Sequence, residues 1–418
     1  MKNVIMTAVL LGLSAAAVAA DKPYVRAERA SAVYRVGEEI VFQVQDPGTG
    51  ATYTIDNGVN VTAPTPLTAE PIKVKAENPG FVLLSVHCGN DANKKPILTH
   101  AGAAIEPDKI VPGTSRPADF DTFWEQQLAQ HQAQPLNIVR ETPVPADKLP
   151  DGLVGFDVEL RRGDITATGF LVLPSGAQAK SLPAIMTFLG ASKVSAELPS
   201  AIWGAKRNAL GFNLNFHGLA NFLQRNAAAE APGKKAVSKY QFTNADSRND
   251  YAMRAIFLRT VMVADYLKQR PEFNGKQLVA TGGSFGGCQA LVCAALVPEV
   301  TLCISNATAM CDHMGRKAGH LPGWPNLLAK HPAAEENSAY FDVVNFAPRI
   351  KCPTHMAVGF IDTTCPPASS YAAYNALNVA EKSMSHSVTS GHGGRCLDSK
   401  DRSVFNFGSD AVKRHLAK

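Results

Sequence analysis

The stretch Gln277-Leu278-Val279-Ala280-Thr281-Gly282-Gly283-Ser284-Phe285-Gly286-Gly287 decides the reading of the fold. Gln277 to Thr281 is a short apolar run of the kind that makes a buried strand. Cys288 to Leu296 follows as a helix-like run. Between them Gly282-Gly283-Ser284-Phe285-Gly286 fits G-x-S-x-G. A strand that turns sharply into a helix at this pentapeptide lifts its serine to the apex of the turn, the arrangement called a nucleophile elbow. The serine then takes a strained backbone conformation, and its close neighbours have to be glycine to avoid clashes. At a helix N-terminus the helix field also favours an oxyanion. A phosphate loop would need Gly-Lys-Ser/Thr, which is absent here.

A serine nucleophile needs a base, and the base needs an orienting acid. On a strand–elbow–helix scaffold these follow in the order Ser, Asp or Glu, His. Met356 to Ile361 reads as a later strand and Asp362 stands at its end, whereas Asp342 precedes that strand and Asp312 comes too early. His386 to Ser390 reads as one more strand, and Gly391-His392-Gly393-Gly394 then offers a histidine between glycines. Ser284, Asp362 and His392 are therefore the candidate triad. His386 begins the strand in this reading and is assigned a structural role. An oxyanion hole takes two preorganised N–H groups. One is assigned to Phe285, after the nucleophile. The other is assigned to Ala191, with Ser192 next in line, in the loop after the Ala184–Leu189 strand. His217 ends the Phe212–Phe216 strand at the edge of the sheet where ligands gather. It is a substrate-binding candidate, balanced against a satisfied structural histidine.

Working outward, Ala184–Leu189, Phe212–Phe216, Leu278–Thr281, Thr301–Asn306 and His355–Phe360 are apolar runs typical of parallel strands buried on both faces. Phe156–Leu160 and Thr168–Leu173 flank a turn and read as an antiparallel hairpin. Asp250–Gln269 places Met253, Ile256, Phe257, Val261, Ala264 and Leu267 on one helical face. An earlier helix carries Phe123, Trp124 and Leu128, with Asp119 or Asp121 as its cap. An antiparallel start followed by a βα series predicts a doubly wound, mostly parallel α/β sheet. Upstream of a linker near residue 106 the pattern is all β. Turn signals at Asp46-Pro47-Gly48, Asp56-Asn57-Gly58 and Asn78-Pro79-Gly80 separate short strands, which predicts a small sandwich of immunoglobulin type over 21–105. Ala220 to Asp246 has few long apolar runs and reads as a candidate lid, its Lys234-Lys235 pair as solvated surface. Trp203 and Trp324 are weighed as sugar platforms against core packing.

The chain has 418 residues, 45% of them hydrophobic and 18% charged, with a net charge of 41 − 36 = +5. That is enough apolar material for a full core and too little charge for disorder. Nucleic acid is excluded as the main partner, since no long basic run appears. Lys2 followed by the Ala-rich apolar run Val4–Val18 and the small residues at 17–20 reads as a cleaved secretory signal over 1–20. A secreted or periplasmic protein with no membrane span is the expectation. Of the eight cysteines, none forms a C-x-x-C pair or a zinc spacing, so no metal and no cofactor is expected. Cys365 and Cys396 follow Asp362 and His392 closely, and a bridge between them is one reading beside that of buried free thiols.

At this point a family is visible. Residues 117–418 resemble the acetylxylan esterase/cephalosporin C deacetylase family of carbohydrate esterases. The matches are Pro117-Ala118-Asp119-Phe120-Asp121-Thr122-Phe123-Trp124, Thr281-Gly282-Gly283-Ser284 with Gly286-Gly287, Asp362-Thr363-Thr364-Cys365-Pro366-Pro367 with Tyr371-Ala372-Ala373-Tyr374-Asn375, and Gly391-His392. The resemblance implies an α/β-hydrolase fold over 106–418, a Ser284–His392–Asp362 triad, and deacetylation of O-acetylated sugars in oligo- or polysaccharides. The chain departs from the family with Phe285 in place of Gln, Leu189-Gly190-Ala191 in place of His-Gly-Tyr, and Gly391-His392-Gly393 in place of Gly-His-Glu. Backbone donors survive those changes while the pocket surface alters. Other serine esterases or peptidases on the same fold remain as alternatives, as does a non-catalytic carbohydrate-binding envelope protein. The oligomeric state is left open.

Overall fold

The structure, a computed structural model, describes residues 23–223, 227–392 and 403–418. The expected signal segment, and Cys396 with its bridge, lie outside the described residues.

Residues 24–105 form two small sheets. β1 (Tyr24–Ala27), β3 (Glu39–Gln45) and β6 (Ile72–Lys75) make one, in the order β1-β3-β6. β2 (Val33–Tyr34), β4 (Thr52–Asp56), β5 (Thr65–Pro66), β7 (Gly80–Asn90) and β8 (Pro96–Ile105) make the other, in the order β2-β8-β7-β4-β5. Alternation drives their burial. Ile40 and Phe42 of β3, and Leu84 and Val86 of β7, are fully buried, while residues between them are more exposed.

Residues 137–387 carry a nine-stranded sheet. Its strands are β9 (Asn137–Pro143), β10 (Leu153–Arg162), β11 (Ile165–Pro174), β12 (Leu182–Phe188), β13 (Leu210–Asn215), β14 (Phe273–Gly283), β15 (Leu302–Asn306), β16 (Thr354–Gly359) and β17 (Lys382–Ser387), ordered β17-β16-β15-β14-β12-β13-β11-β10-β9. The predicted hairpin is β10–β11, antiparallel, and β13, β12, β14, β15, β16 and β17 run parallel to one another. Successive residues of the central strands enter different cores. Met186, Ala280 and Cys303 join the large core containing the helices Ala252–Gln269 and Phe285–Leu296, whereas Ile185, Val279 and Ile304 pack on Ala411 and Val412 of the C-terminal helix. Both faces are covered, so the strands read as unbroken apolar runs.

The N-terminal sheets dock on the end of β16. Phe81 of β7 meets Phe360 edge to face at 5.1 Å and Tyr371 at 5.6 Å. The connecting segment is fixed as well: Asn375 donates to the Pro107 and Ile110 carbonyls at 3.0 and 2.8 Å, and Gly113 and Thr114 N–H donate to Asp312 at 2.9 and 2.7 Å.

Two local expectations change. Asp119 occupies the N-cap position of the helix Phe120–Gln132 but makes no side-chain cap bond. Its carboxylate is taken by Arg248 at 2.9 Å and by the Tyr340 hydroxyl, and Asp121 by Arg116 and Arg349. His386 lies next to the end of β17 rather than at its start, its ring stacked on Phe360 at 4.8 Å.

Candidate active site

β14 delivers Ser284 to the N-cap of the helix Phe285–Leu296, where the serine has φ 58° and ψ −124°. This left-handed conformation is costly for serine and persists only when its surroundings enforce it. They do. Ser284 N–H donates to Asn306 O at 2.8 Å, and the Ser284 carbonyl accepts from Gly287, Cys288 and Ala309 N–H at 3.0–3.2 Å. The flanking glycines are required by contact: a Cβ on Gly282 would stand 2.3 Å from Gly286 O, one on Gly286 2.2 Å from Phe188 O, and one on Gly287 2.4 Å from Ser305 Oγ.

The structure brings the three separated candidates into one hydrogen-bonded line. His392 Nε2 lies 3.0 Å from Ser284 Oγ, and His392 Nδ1 lies 2.8 Å from Asp362 Oδ2. The Asp362 side chain is 1% exposed and that of His392 27%. Asp362 Oδ1 accepts from Thr364 and Cys365 N–H at 2.8 and 2.9 Å, a turn that aims its other oxygen at the imidazole. A carboxylate at Nδ1 favours the tautomer that leaves Nε2 free to accept a proton.

Beside Ser284 lies the loop after β12. A Cβ built on Gly190 would come 3.9 Å from Ser284 Cβ, so the loop that carries Ala191 runs beside the serine. Two residues that the sequence reading passed over hold this geometry. Gln289, fully buried, donates through Nε2 to Leu189 O at 3.1 Å and Phe285 O at 3.2 Å, tying the loop to the helix. Tyr240 donates its hydroxyl to Ala191 O at 3.3 Å. A glutamine inside the apolar run Cys288–Leu296 was the one sequence signal for the first; nothing local marked the second.

Aromatic rings surround the elbow. Phe285 meets Phe216 at 5.1 Å, Tyr240 at 5.7 Å and Trp324 at 5.8 Å. His217 joins this group, 4.2 Å from Phe216 and 4.7 Å from Tyr240. Burial, reinforced by the Arg259 charge, pushes its imidazole down to about 3, so it is neutral. Its buried Nε2 has no partner among the described residues. Trp203 belongs elsewhere, packed on the core near Ile185 and covered by the Arg207 guanidinium at 3.7 Å. Cys365 is buried next to the Ser284–His392–Asp362 line, its thiol pushed up by burial and the Asp362 charge. Among the described residues no cluster of three or more His, Cys, Asp or Glu side chains has the arrangement to hold a metal ion, and no helix is long and apolar enough to cross a membrane.

Comparison with known proteins adds three findings. The acetyl xylan esterase (AXE1) family profile matches residues 108–318 and 329–407. The acetyl esterase Axe7A of Xylanibacter ruminicola is 29% identical over 293 residues, covering 68% of this chain and 66% of that protein, so the match spans just under two thirds of the relative's length. Among solved structures, the acetyl xylan esterase from Paenibacillus sp. R4 superposes with a TM-score of 0.61 at 23% identity, over 75% of this chain and 98% of that one. An acetyl xylan esterase 1 from a Thermoanaerobacterium species gives 0.59 at 19% identity, over 74% and 97%. At those identities the structural likeness bears on the fold, which is α/β-hydrolase-like.

Proposed function

The chain belongs to the acetyl xylan esterase family and is a carboxylic ester hydrolase; from that premise we propose that it is an exported serine esterase that removes acetyl groups from O-acetylated carbohydrates. The observation that carries the reading is the unbroken line from Ser284 Oγ through the His392 imidazole to the Asp362 carboxylate. In the proposed organisation a signal over 1–20 precedes an immunoglobulin-like β-sandwich over 21–105, and 106–418 is the catalytic domain.

Ser284 Oγ attacks the ester carbonyl while His392 Nε2 takes its proton. Asp362 holds the tautomer and stabilises the imidazolium. Charge developing on the carbonyl oxygen meets the N–H groups of Phe285 and Ala191; Gln289 holds the Phe285 and Leu189 carbonyls and Tyr240 holds that of Ala191. The tetrahedral adduct collapses, His392 returns the proton to the departing sugar hydroxyl, and an acetyl-serine remains. Water then gives its proton to His392 and attacks the acetyl carbonyl; the bond between that carbon and Ser284 Oγ breaks, His392 returns the proton to Oγ, and acetate leaves. The rings of Phe285, Tyr240 and Trp324 beside the elbow suit a small acyl group. His217, neutral and with an unpartnered Nε2, is assigned to a hydroxyl of the departing sugar.

Ser284→Ala tests the reading. Turnover of 4-nitrophenyl acetate should fall by roughly 10³-fold or more, as for other triad serines. A fully active variant rejects the site. A strong preference for acetate over butyrate esters supports deacetylation over a general carboxylesterase, and an equal rate on both rejects it.

A further inference from the structure

Three cavities between Trp324, the Asp362 loop and the N-terminal sheets share their walls. The first, about 280 Å³, begins at Trp324, whose ring stands 5.8 Å from that of Phe285, and runs along Leu321, Thr363 and Pro366. Those last three residues also line a second cavity of about 140 Å³, which reaches Asp362 and whose far wall is Asp56, Gly58, Phe81 and Leu83 of the N-terminal sheets. The third, about 670 Å³, lies on the other flank of the same turn and shares Phe81 and His320 with the second. We propose that these cavities form one substrate track, and that the turn Asp56–Asn60 is a distal subsite for the acetylated polysaccharide chain whose ester sits at Ser284. The proposal rests on the esterase reading above and adds the place where the chain beyond the reacting sugar is held.

The turn is built before any ligand arrives. Asp56 Oδ1 accepts Gly58 N–H at 2.8 Å, Asn57 Oδ1 accepts Val59 and Asn60 N–H at 3.0 and 2.9 Å, and Asn57 N–H donates to Asn60 O at 3.2 Å. Gly58 has φ +86°, and a Cβ there would stand 3.0 Å from His320 Cα and 3.2 Å from Gly319 O. The turn is thus seated on the catalytic domain with no room to withdraw, and a ligand does not have to order it, which keeps the cost of binding low. Clefts at domain junctions are common ligand sites. The chemistry of the lining suits a glycan. Sugar rings offer apolar faces and a rim of hydroxyls. Val59 and Val111, 54% and 65% exposed, line the third cavity together with the hydrogen-bonding side chains of Asn60, Asn78 and Lys75.

The test compares kcat/KM for acetate release from acetylated xylan with kcat/KM for 4-nitrophenyl acetate, in the parent and in Asn60→Ala, Lys75→Ala and Val59→Asp. The small ester reports that the enzyme is folded and the elbow intact. The expected result is a ratio of polymer to small-ester efficiency that falls by about fivefold or more per variant, the loss expected of a broken substrate hydrogen bond or apolar contact, and falls through KM. Ratios within about twofold of the parent in all three variants, on the scale of measurement scatter, overturn the subsite. So does a parent enzyme that releases acetate from short sugars and none from the polymer. Failure of the esterase reading looks different: the parent then leaves both substrates intact, or Ser284→Ala keeps full activity.

Discussion

Gly102 of β8 lies flat against Phe360: a Cβ on Gly102 would stand 2.3 Å from the Phe360 carbonyl oxygen and 2.7 Å from its carbonyl carbon. Phe360 follows β16 and precedes Asp362 by two residues. The N-terminal sheets therefore buttress the loop that carries the proposed catalytic acid, with Phe81 against the Phe360 ring.

Gly102→Ala follows from that contact. The added methyl meets backbone, which cannot rotate away, so we expect about 1–3 kcal/mol of destabilisation, the usual range for overpacking. Because the displaced segment is the acid loop, kcat on 4-nitrophenyl acetate should fall while KM changes little. Thermal unfolding and steady-state kinetics check both. An unchanged melting temperature with unchanged kcat contradicts the buttress.

Asp362→Asn keeps the size of the side chain and removes its charge. The amide oxygen still accepts from Thr364 and Cys365 N–H, so the loop and the melting temperature should be little altered. The other amide position then presents an NH₂ to His392 Nδ1 and favours the wrong imidazole tautomer. Loss of kcat by about 10⁴-fold is expected, the scale seen for the equivalent change in serine-protease triads. Activity within tenfold of the parent rules Asp362 out as the orienting acid.

Gln289→Leu removes the two hydrogen bonds that tie Leu189 and Phe285 together. Two buried carbonyls lose a donor, at about 1–3 kcal/mol for each group left unsatisfied. The segments so released carry the two proposed oxyanion donors, so the effect should fall on kcat rather than KM, by about tenfold or more, since losing one such donor outright costs about 10²–10³. A stability loss with unchanged kcat would assign Gln289 to packing alone.

The parts legible in the sequence were those whose cause is local. Gly282, Gly286 and Gly287 are demanded by a turn that spans six residues, and β12, β14 and β15 are buried on both faces, so elbow and parallel strands can be read from the chain. β17, with the polar sequence Lys382–Ser387, sits at the sheet edge and carries a weak apolar signal, so its start is not legible and His386, next to its end, reads as its beginning. Asp119 had the right residue type for a cap, but Arg248 and Tyr340, far along the chain, claim its carboxylate. Gln289, Tyr240 and Gly102 act across 100, 49 and 258 residues of sequence on Leu189, Ala191 and Phe360. No periodicity or spacing encodes such contacts.

The segment joining the N-terminal sheets to the domain of the nine-stranded sheet is held by a buried pair, Asp312 and His320, 3.1 Å apart. Burial alone would raise the Asp312 carboxyl, but the His320 hydrogen bond and the N–H groups of Gly113 and Thr114 outweigh it and hold it below its ordinary 3.8. Burial would likewise lower His320, but Asp312 outweighs it and holds the imidazole above its ordinary 6.5. The signs fix the window. A depressed carboxyl contributes stability above 3.8 that is lost as pH falls through its folded value. A raised imidazole contributes stability below 6.5 that is lost as pH rises through its folded value. Between these limits both contributions are present. His320→Gln should therefore lower the melting temperature most near pH 6, where losing one partner of a buried ion pair costs about 3 kcal/mol, and progressively less as pH rises through the folded value of the parent imidazole. Asp342 and His313 also face the pair. Both are present in parent and variant, so taking the difference between the two proteins at each pH largely removes their own titration. A loss that does not shrink as pH rises from 6 through the alkaline range would show that His320 acts there through packing and not through its charge.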